Sequence, residues 1–378
     1  MTLTGFVLLY IVATIAIGVI AATRVKNTSD FALAGRSLPL PMVITATFAT
    51  WFGSETILGL PGRFIESGIA GVIEEPFGSG MALILVGTFF AHKLYKQNIL
   101  TLGDYYRDRY GRSVELLCSV AIVISYLGWV GAQVTALGLV INLITEGAVS
   151  MTTGMVIGAA VVLAYTMVGG MWSVAMTDFV QMIVIVVGLV AILWFATDLA
   201  GGMDKVVDYA RGRDLFHAFP EPTTTGWLFW ISAAMTMMIG SIPQQDVFQR
   251  VMSAKNLPTA VAGPILGGSF YILFAFVPMF IVVAAILVMP DAAEKMLSED
   301  PQQLLPTLVR DYMPMWLRVV FFGAVLSAVM STASATMLAP STIFVSSLYE
   351  NRRSQYASSH APLRRCFRCL RSILFDRA

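Results

Sequence analysis

Charge is what this sequence has least of: 24 Lys and Arg with 23 Asp and Glu make up only 12% of 378 residues and cancel to a net +1. An ordinary soluble domain carries roughly a quarter of its residues charged, so this composition cannot furnish a water-facing surface. The near balance also leaves no basic field to hold nucleic acid. Cysteine is scarce too, and Cys118, Cys366 and Cys369 are too few for a disulfide framework. Histidine is equally rare, with three residues and no His-Glu-x-x-His motif, which argues against an intramembrane metalloenzyme. Cys366, Cys369 and His360 fall short of the about four ligands a structural zinc needs, so no metal other than an alkali cation is expected.

In place of charge there is apolar length. The chain is 57% hydrophobic with mean hydropathy +0.76, the composition of an all-α polytopic membrane protein. A hydrocarbon core needs about 20 apolar helical residues to cross. Such runs occur near 5–22, 39–62, 76–92, 114–144, 149–168, 172–197, 226–243, 259–289 and 315–348. The first has neither a basic leader nor a small-residue cleavage site and reads as a retained span. Arg24, Lys26, Arg36, Lys93, Lys96, Arg107, Arg109, Arg112, Arg250 and Lys255 fall in alternate loops, whereas Glu66, Glu74, Glu75, Glu146 and the acid-rich stretch from Asp291 to Asp311 fall in the others. The positive-inside rule then puts the N-terminus outside and the end of the ninth span in the cytoplasm of a cell membrane.

Two runs are poor transmembrane helices. The second reads Ala46 to Gly62 through Trp51, Phe52, Gly53, Ser54, Glu55, Gly59 and Pro61, and the seventh passes through Gly240, Ser241, Ile242, Pro243 and Gln244. Irregular backbone at membrane depth persists only where protein or a polar cavity receives it, and a matched pair of such segments points to a transporter site between inverted repeats. The plainer reading is that Gly and Pro are common in membrane helices. On the ninth run Ala328, Ser331 and Thr332 share a face through i, i+3 and i+4 spacing. Their hydroxyls and nearby carbonyls are hard ligands fit for sodium, or else small residues that let helices pack closely.

Together with Tyr165 to Gln181, which holds Gly169-Gly170 and Asp178, and with Phe248-Gln249-Arg250 and Ser327 to Thr332, these residues resemble the sodium:solute symporter family of proline, pantothenate, choline and glucose carriers. The resemblance runs in order along residues 1–350. It implies a LeuT-type inverted-repeat bundle: a leading helix and loop over 1–38, a first repeat over 39–200, and a partial second repeat over 226–350. The family continues beyond the ninth helix, so the expectation is an incomplete second repeat, with 351–378 a basic tail or an aberrant continuation. The family's sodium site, carried over by position, takes carbonyls from Ala49, Phe52 and Ala328 and hydroxyls from Ser331 and Thr332. Asp178 corresponds to an acid on the sodium path; otherwise it is an interfacial cap.

The branch it most resembles is the choline carriers', through Ala49-Thr50-Trp51, Ile242-Pro243 and Trp129, but that branch has a tryptophan where this chain has Gln244. The expected solute site is therefore Trp51, Glu55, Trp129 and Gln244, facing a small organic solute that is cationic or zwitterionic. Glu55 either neutralises the solute or serves as an internal partner holding the broken helix, and the two tryptophans have an ordinary core or lipid-facing reading. The implied activity is sodium-coupled secondary transport, with Na+ co-transported, no organic cofactor and no covalent chemistry. A membrane sensor module or an inert shortened transporter is the alternative.

Overall fold

A computed structural model describes residues 3–350, with side chains to Ser347. The basic stretch 351–378, including His360, Cys366 and Cys369, lies outside the described residues. Helices form where the apolar runs were read, and short polar side chains start many of them. Ser150, Thr223 and Asn256 each accept a backbone N–H three residues on, at 3.2, 3.0 and 3.0 Å, which satisfies a donor that the first helical turn leaves free. Among the described residues, six helices are long and apolar enough to cross a membrane alone, and a bent pair adds a seventh.

The number of passages is larger than the number of such helices. Met151–Leu199 is 49 residues long, which as one straight rod would reach roughly 70 Å, more than twice a hydrocarbon core of about 30 Å. It is divided at Gly170 (φ 51, ψ −137), where an added Cβ would collide with the Phe31 carbonyl oxygen. Only glycine fits both that backbone and that approach. The fifth and sixth spans are thus its two arms. The second span is likewise interrupted: Leu40–Trp51 ends, a wide π-type turn follows over Glu55–Gly59, and Leu60–Ser67 completes the crossing. Among the described residues nine passages result, counting the seventh span as Thr224–Gly240 and Gln245–Ser253 bent by 46°.

The ninth span, Met315–Ser347, forms the centre of the bundle. Its most apolar window is 83% buried, against 17% for the fourth span, Arg112–Ile144, on the periphery. It lies along both arms of the fifth and sixth spans and against the second and fourth. The two interrupted spans are joined by the one β-bridge among the described residues: Leu38 N–H donates to Ser253 O at 3.0 Å and Lys255 N–H to Leu38 O at 2.9 Å. The start of the second span is therefore tied by backbone hydrogen bonds to the end of the seventh.

Two loop assignments change. Arg250, counted among the cytoplasmic loop charges, is 2% exposed inside the bundle and belongs to the seventh span. Glu75, counted as an outer loop acid, stands at the start of the third span, Ile69–Gln97, and reaches inward to Tyr271. Charge counting treats every Arg or Glu near a span end alike, and only packing shows which of them turn inward.

Candidate functional site

The second span stops because its hydrogen-bond ladder fails at Phe52 (φ −85, ψ 71). Phe52 N–H still reaches Phe48 O at 2.9 Å, but Gly53 N–H turns to Trp51 O at 3.1 Å instead of continuing to Ala49. The last carbonyls of a helix have no partner in their own ladder, and the Ala49 carbonyl takes one from another span: Thr332 Oγ1 donates to it at 3.3 Å. Gly53 makes that approach feasible, since a Cβ there would sit 2.8 Å from Thr332 Oγ1.

One residue earlier on the ninth span, Ser331 Oγ donates to Asp178 Oδ1 at 2.5 Å, while Asp178 Oδ2 is buried without a hydrogen-bond partner. Ala49, Phe52, Ala328, Ser331, Thr332 and Asp178 are all fully buried. The structure thus joins Ala49 to Thr332 and Ser331 to Asp178. Phe52 and Ala328 sit on the same two segments, Phe52 at the break and Ala328 one turn before Ser331. Tyr165 donates to Met330 O at 3.1 Å and Ser334 to Ser331 O at 2.8 Å, so side chains also engage the carbonyls of this stretch. Asp178 Oδ2 is thus a buried oxygen with spare lone pairs and no hydrogen to fill it, the kind of hard acceptor a small cation takes.

The neighbouring wall is aromatic. Trp51, at the end of the same helical segment, meets Trp129 of the fourth span edge-on at 5.7 Å, and Trp129 stacks on Tyr126 at 6.0 Å and 29°. Glu55, half-buried in the π-type turn, accepts from Gln133 Nε2 at 2.8 and 2.9 Å on its two oxygens. Ser54 Oγ fixes the amide by donating to Gln133 Oε1 at 3.3 Å. Trp51, Trp129 and Glu55 therefore share one wall. Gln244 stands on the seventh span, where it caps Gln245–Ser253 in extended conformation, and its Oε1 is buried without a hydrogen-bond partner.

Several residues at these walls escaped sequence reading. Tyr126, Trp129 and Gln133 follow i, i+3 and i+7 spacing, one face of the fourth span, so a polar residue on the face that carries Trp129 was the available signal. Tyr126 and Asp246 exchange two hydrogen bonds: the hydroxyl donates to Asp246 Oδ1 and accepts from Asp246 N–H at 3.0 Å. Arg250 donates to Asp246 O at 3.0 Å and to Thr50 Oγ1 at 2.6 Å. Tyr271 and Thr56 both donate to Glu75 Oε1, at 2.5 and 3.1 Å. Asp246, Glu75 and Tyr271 lie at run edges or within apolar text and gave no such signal.

Comparison with known proteins places the chain among membrane symporters by sequence and by fold. The profile of the sodium:solute symporter family matches residues 31–373. The human high affinity choline transporter 1 is 28% identical over 373 residues, covering 93% of this chain and 63% of the relative. Its counterpart in Caenorhabditis elegans is 28% identical over 346 residues, with coverages of 88% and 58%. Sodium/glucose cotransporter 4 of Danio rerio is 26% identical over 387 residues, with coverages of 92% and 59%. The chain spans about three fifths of the length of these curated relatives. A solved structure of a Na+-coupled sialic acid symporter, substrate-bound and outward-open, shares the fold at TM-score 0.81 and 18% identity, covering 97% of this chain and 76% of that one.

Proposed function

Since this chain belongs to the sodium:solute symporter family, we propose that it is a sodium-coupled importer of a small organic solute carrying a positive amine or ammonium group. One observation carries the reading: the break after Trp51 serves both sites, turning the Ala49 carbonyl toward Thr332 on one side and presenting Trp51 and Glu55 on the other. Sodium takes the carbonyls of Ala49, Phe52 and Ala328 and the hydroxyls of Ser331 and Thr332, with Asp178 on its path. The cation replaces the Thr332 to Ala49 hydrogen bond by ligation of both oxygens. It thereby holds the second span against the ninth and steadies the break that shapes the solute wall.

The solute lies against Trp51 and Trp129, whose ring faces attract an organic cation, with Glu55 as counter-charge and Gln244 facing it from the other broken span. An amide in place of a third ring favours a solute with a hydrogen-bonding group beside its cationic centre. Among the described residues no lysine or arginine forms an ion pair with Glu55. A neutral amide holds the carboxylate, and that leaves its charge for the solute. The relatives named as choline transporters support an ammonium solute.

In this multi-pass membrane protein the N-terminus faces outside, and the halves over 39–200 and 226–350 rock about the two breaks. Sodium and solute enter together from outside and leave to the cytoplasm. Entry of each positive charge is driven by the membrane potential, about 2.3 kcal/mol per 100 mV. The deciding measurement is uptake of labelled choline, amines, amino acids, carboxylates and sugars into proteoliposomes under an imposed sodium gradient. Sodium-dependent accumulation of a cationic or zwitterionic amine is expected. Uptake indifferent to sodium, or confined to anions or sugars, overturns the proposal.

A further inference from the structure

The contacts around the two breaks close into a ring. Trp51 meets Trp129, Trp129 stacks on Tyr126, Tyr126 is doubly bonded to Asp246, Arg250 joins Asp246 to Thr50, and Thr50 is the neighbour of Trp51. The ring crosses three spans, the second, fourth and seventh, and Thr50 is also the neighbour of Ala49, whose carbonyl faces Thr332. Every polar member is buried: Thr50 and Asp246 are fully inaccessible, and Tyr126 and Arg250 are 2% exposed. Their hydrogen bonds cannot be exchanged for water without moving a helix.

We propose that Tyr126 is a positioning residue that couples the solute wall to the sodium site, through its bonds to Asp246 and the Arg250 to Thr50 contact. The inference rests on the reading of Trp51, Trp129 and the Ala49 to Thr332 contact given above. Solute against Trp129 fixes the ring of Tyr126, and the hydroxyl fixes the first turn of Gln245–Ser253. Arg250, one turn further on that helix, then holds Thr50 and with it the carbonyl end of Leu40–Trp51. The same connection runs in reverse when sodium binds at Ala49. Thr50 Oγ1 is suited to this place, since it accepts from Arg250 and donates to Ala46 O at 2.6 Å, which anchors the arginine to the helix backbone.

Coupling between two sites is reciprocal: sodium tightens solute binding by the same factor by which solute tightens sodium binding. A wall residue without a coupling role changes solute affinity equally with and without sodium, so the factor itself is the discriminating readout. The full chain in lipid nanodiscs is titrated with choline in sodium and in potassium, and with sodium in the presence and absence of choline. Tyr126→Phe keeps the stacked ring and removes the hydroxyl. We expect it to reduce the coupling factor about fivefold or more, equally in both titrations. Thr50→Val breaks the ring at its other end and should reduce the factor likewise, which keeps the test decisive if Tyr126→Phe fails to fold.

A wild-type factor in either folded variant overturns the proposal, as does an equal loss of choline affinity in sodium and in potassium. Wild-type protein that binds choline without regard to sodium, or binds its uncharged tert-butyl analogue equally well, overturns the underlying reading of the site and the coupling with it.

Discussion

Gln133 donates to both carboxylate oxygens of Glu55, at 2.8 and 2.9 Å, from a position 78 residues further along the chain. Sequence reasoning left two roles for Glu55, counter-charge or internal partner, and this contact supplies an internal partner that carries no charge. The amide satisfies one lone pair on each oxygen and adds no charge of its own, so the carboxylate is held in place by a neutral partner.

Removing the charge separates the roles. Glu55→Gln should weaken binding of cationic solutes by about 1.5–3 kcal/mol, the range for hydrogen bonds to charged groups, or about ten- to a hundredfold. It should leave the uncharged analogue of the same solute bound as before. Affinity and melting are measured on one preparation, because a destabilised protein also loses apparent affinity by depopulating the folded state. Unchanged affinity with a lowered melting temperature would return Glu55 to a purely structural role.

At the cation site, Ser331→Ala and Thr332→Ala should each raise the sodium concentration for half-maximal solute binding by about tenfold, with Thr332→Ser restoring most of it. Asp178→Asn should shift sodium dependence in the same direction, since Ser331 donates to that carboxylate. Sodium dependence unchanged in Ser331→Ala, Thr332→Ala and Asp178→Asn would make the hydroxyls packing residues.

The hinge at Gly170 offers a test of stability apart from ligand binding. Gly170→Ala introduces a Cβ at positive φ and against the Phe31 carbonyl, which should destabilise the protein by about 1–3 kcal/mol. Thermal melting of purified protein reports the loss. A melting temperature equal to that of the parent protein would mean that the fifth and sixth spans can turn some other way.

Topology is open to labelling. In a background with Cys118, Cys366 and Cys369 replaced by serine, a cysteine at exposed Glu146 should react with an impermeant maleimide added outside. A cysteine at exposed Lys255 should react only after permeabilisation. The opposite pattern reverses the orientation drawn from the loop charges.

The order and approximate positions of the nine passages among the described residues were readable from hydropathy, though not the ends of the third and seventh, because the partition of an apolar run of given length between water and lipid depends on that run alone. The interruptions at Phe52 and at Ser241 to Gln244 were readable for a similar reason: Gly, Pro and an acid in such a run weaken the ladder wherever it lies. Ser331 and Thr332 could be placed on one helix face but not on their different partners, Asp178 on one side and Ala49 on the other. Neither the inward turn of Arg250 and Glu75, nor the amide that Gln133 lends to Glu55, nor the bond between Tyr126 and Asp246 has any local signature. Each joins residues far apart in the chain, and it forms only when packing leaves a buried polar group one neighbour within reach, since an unpaired one would cost several times what the pair contributes.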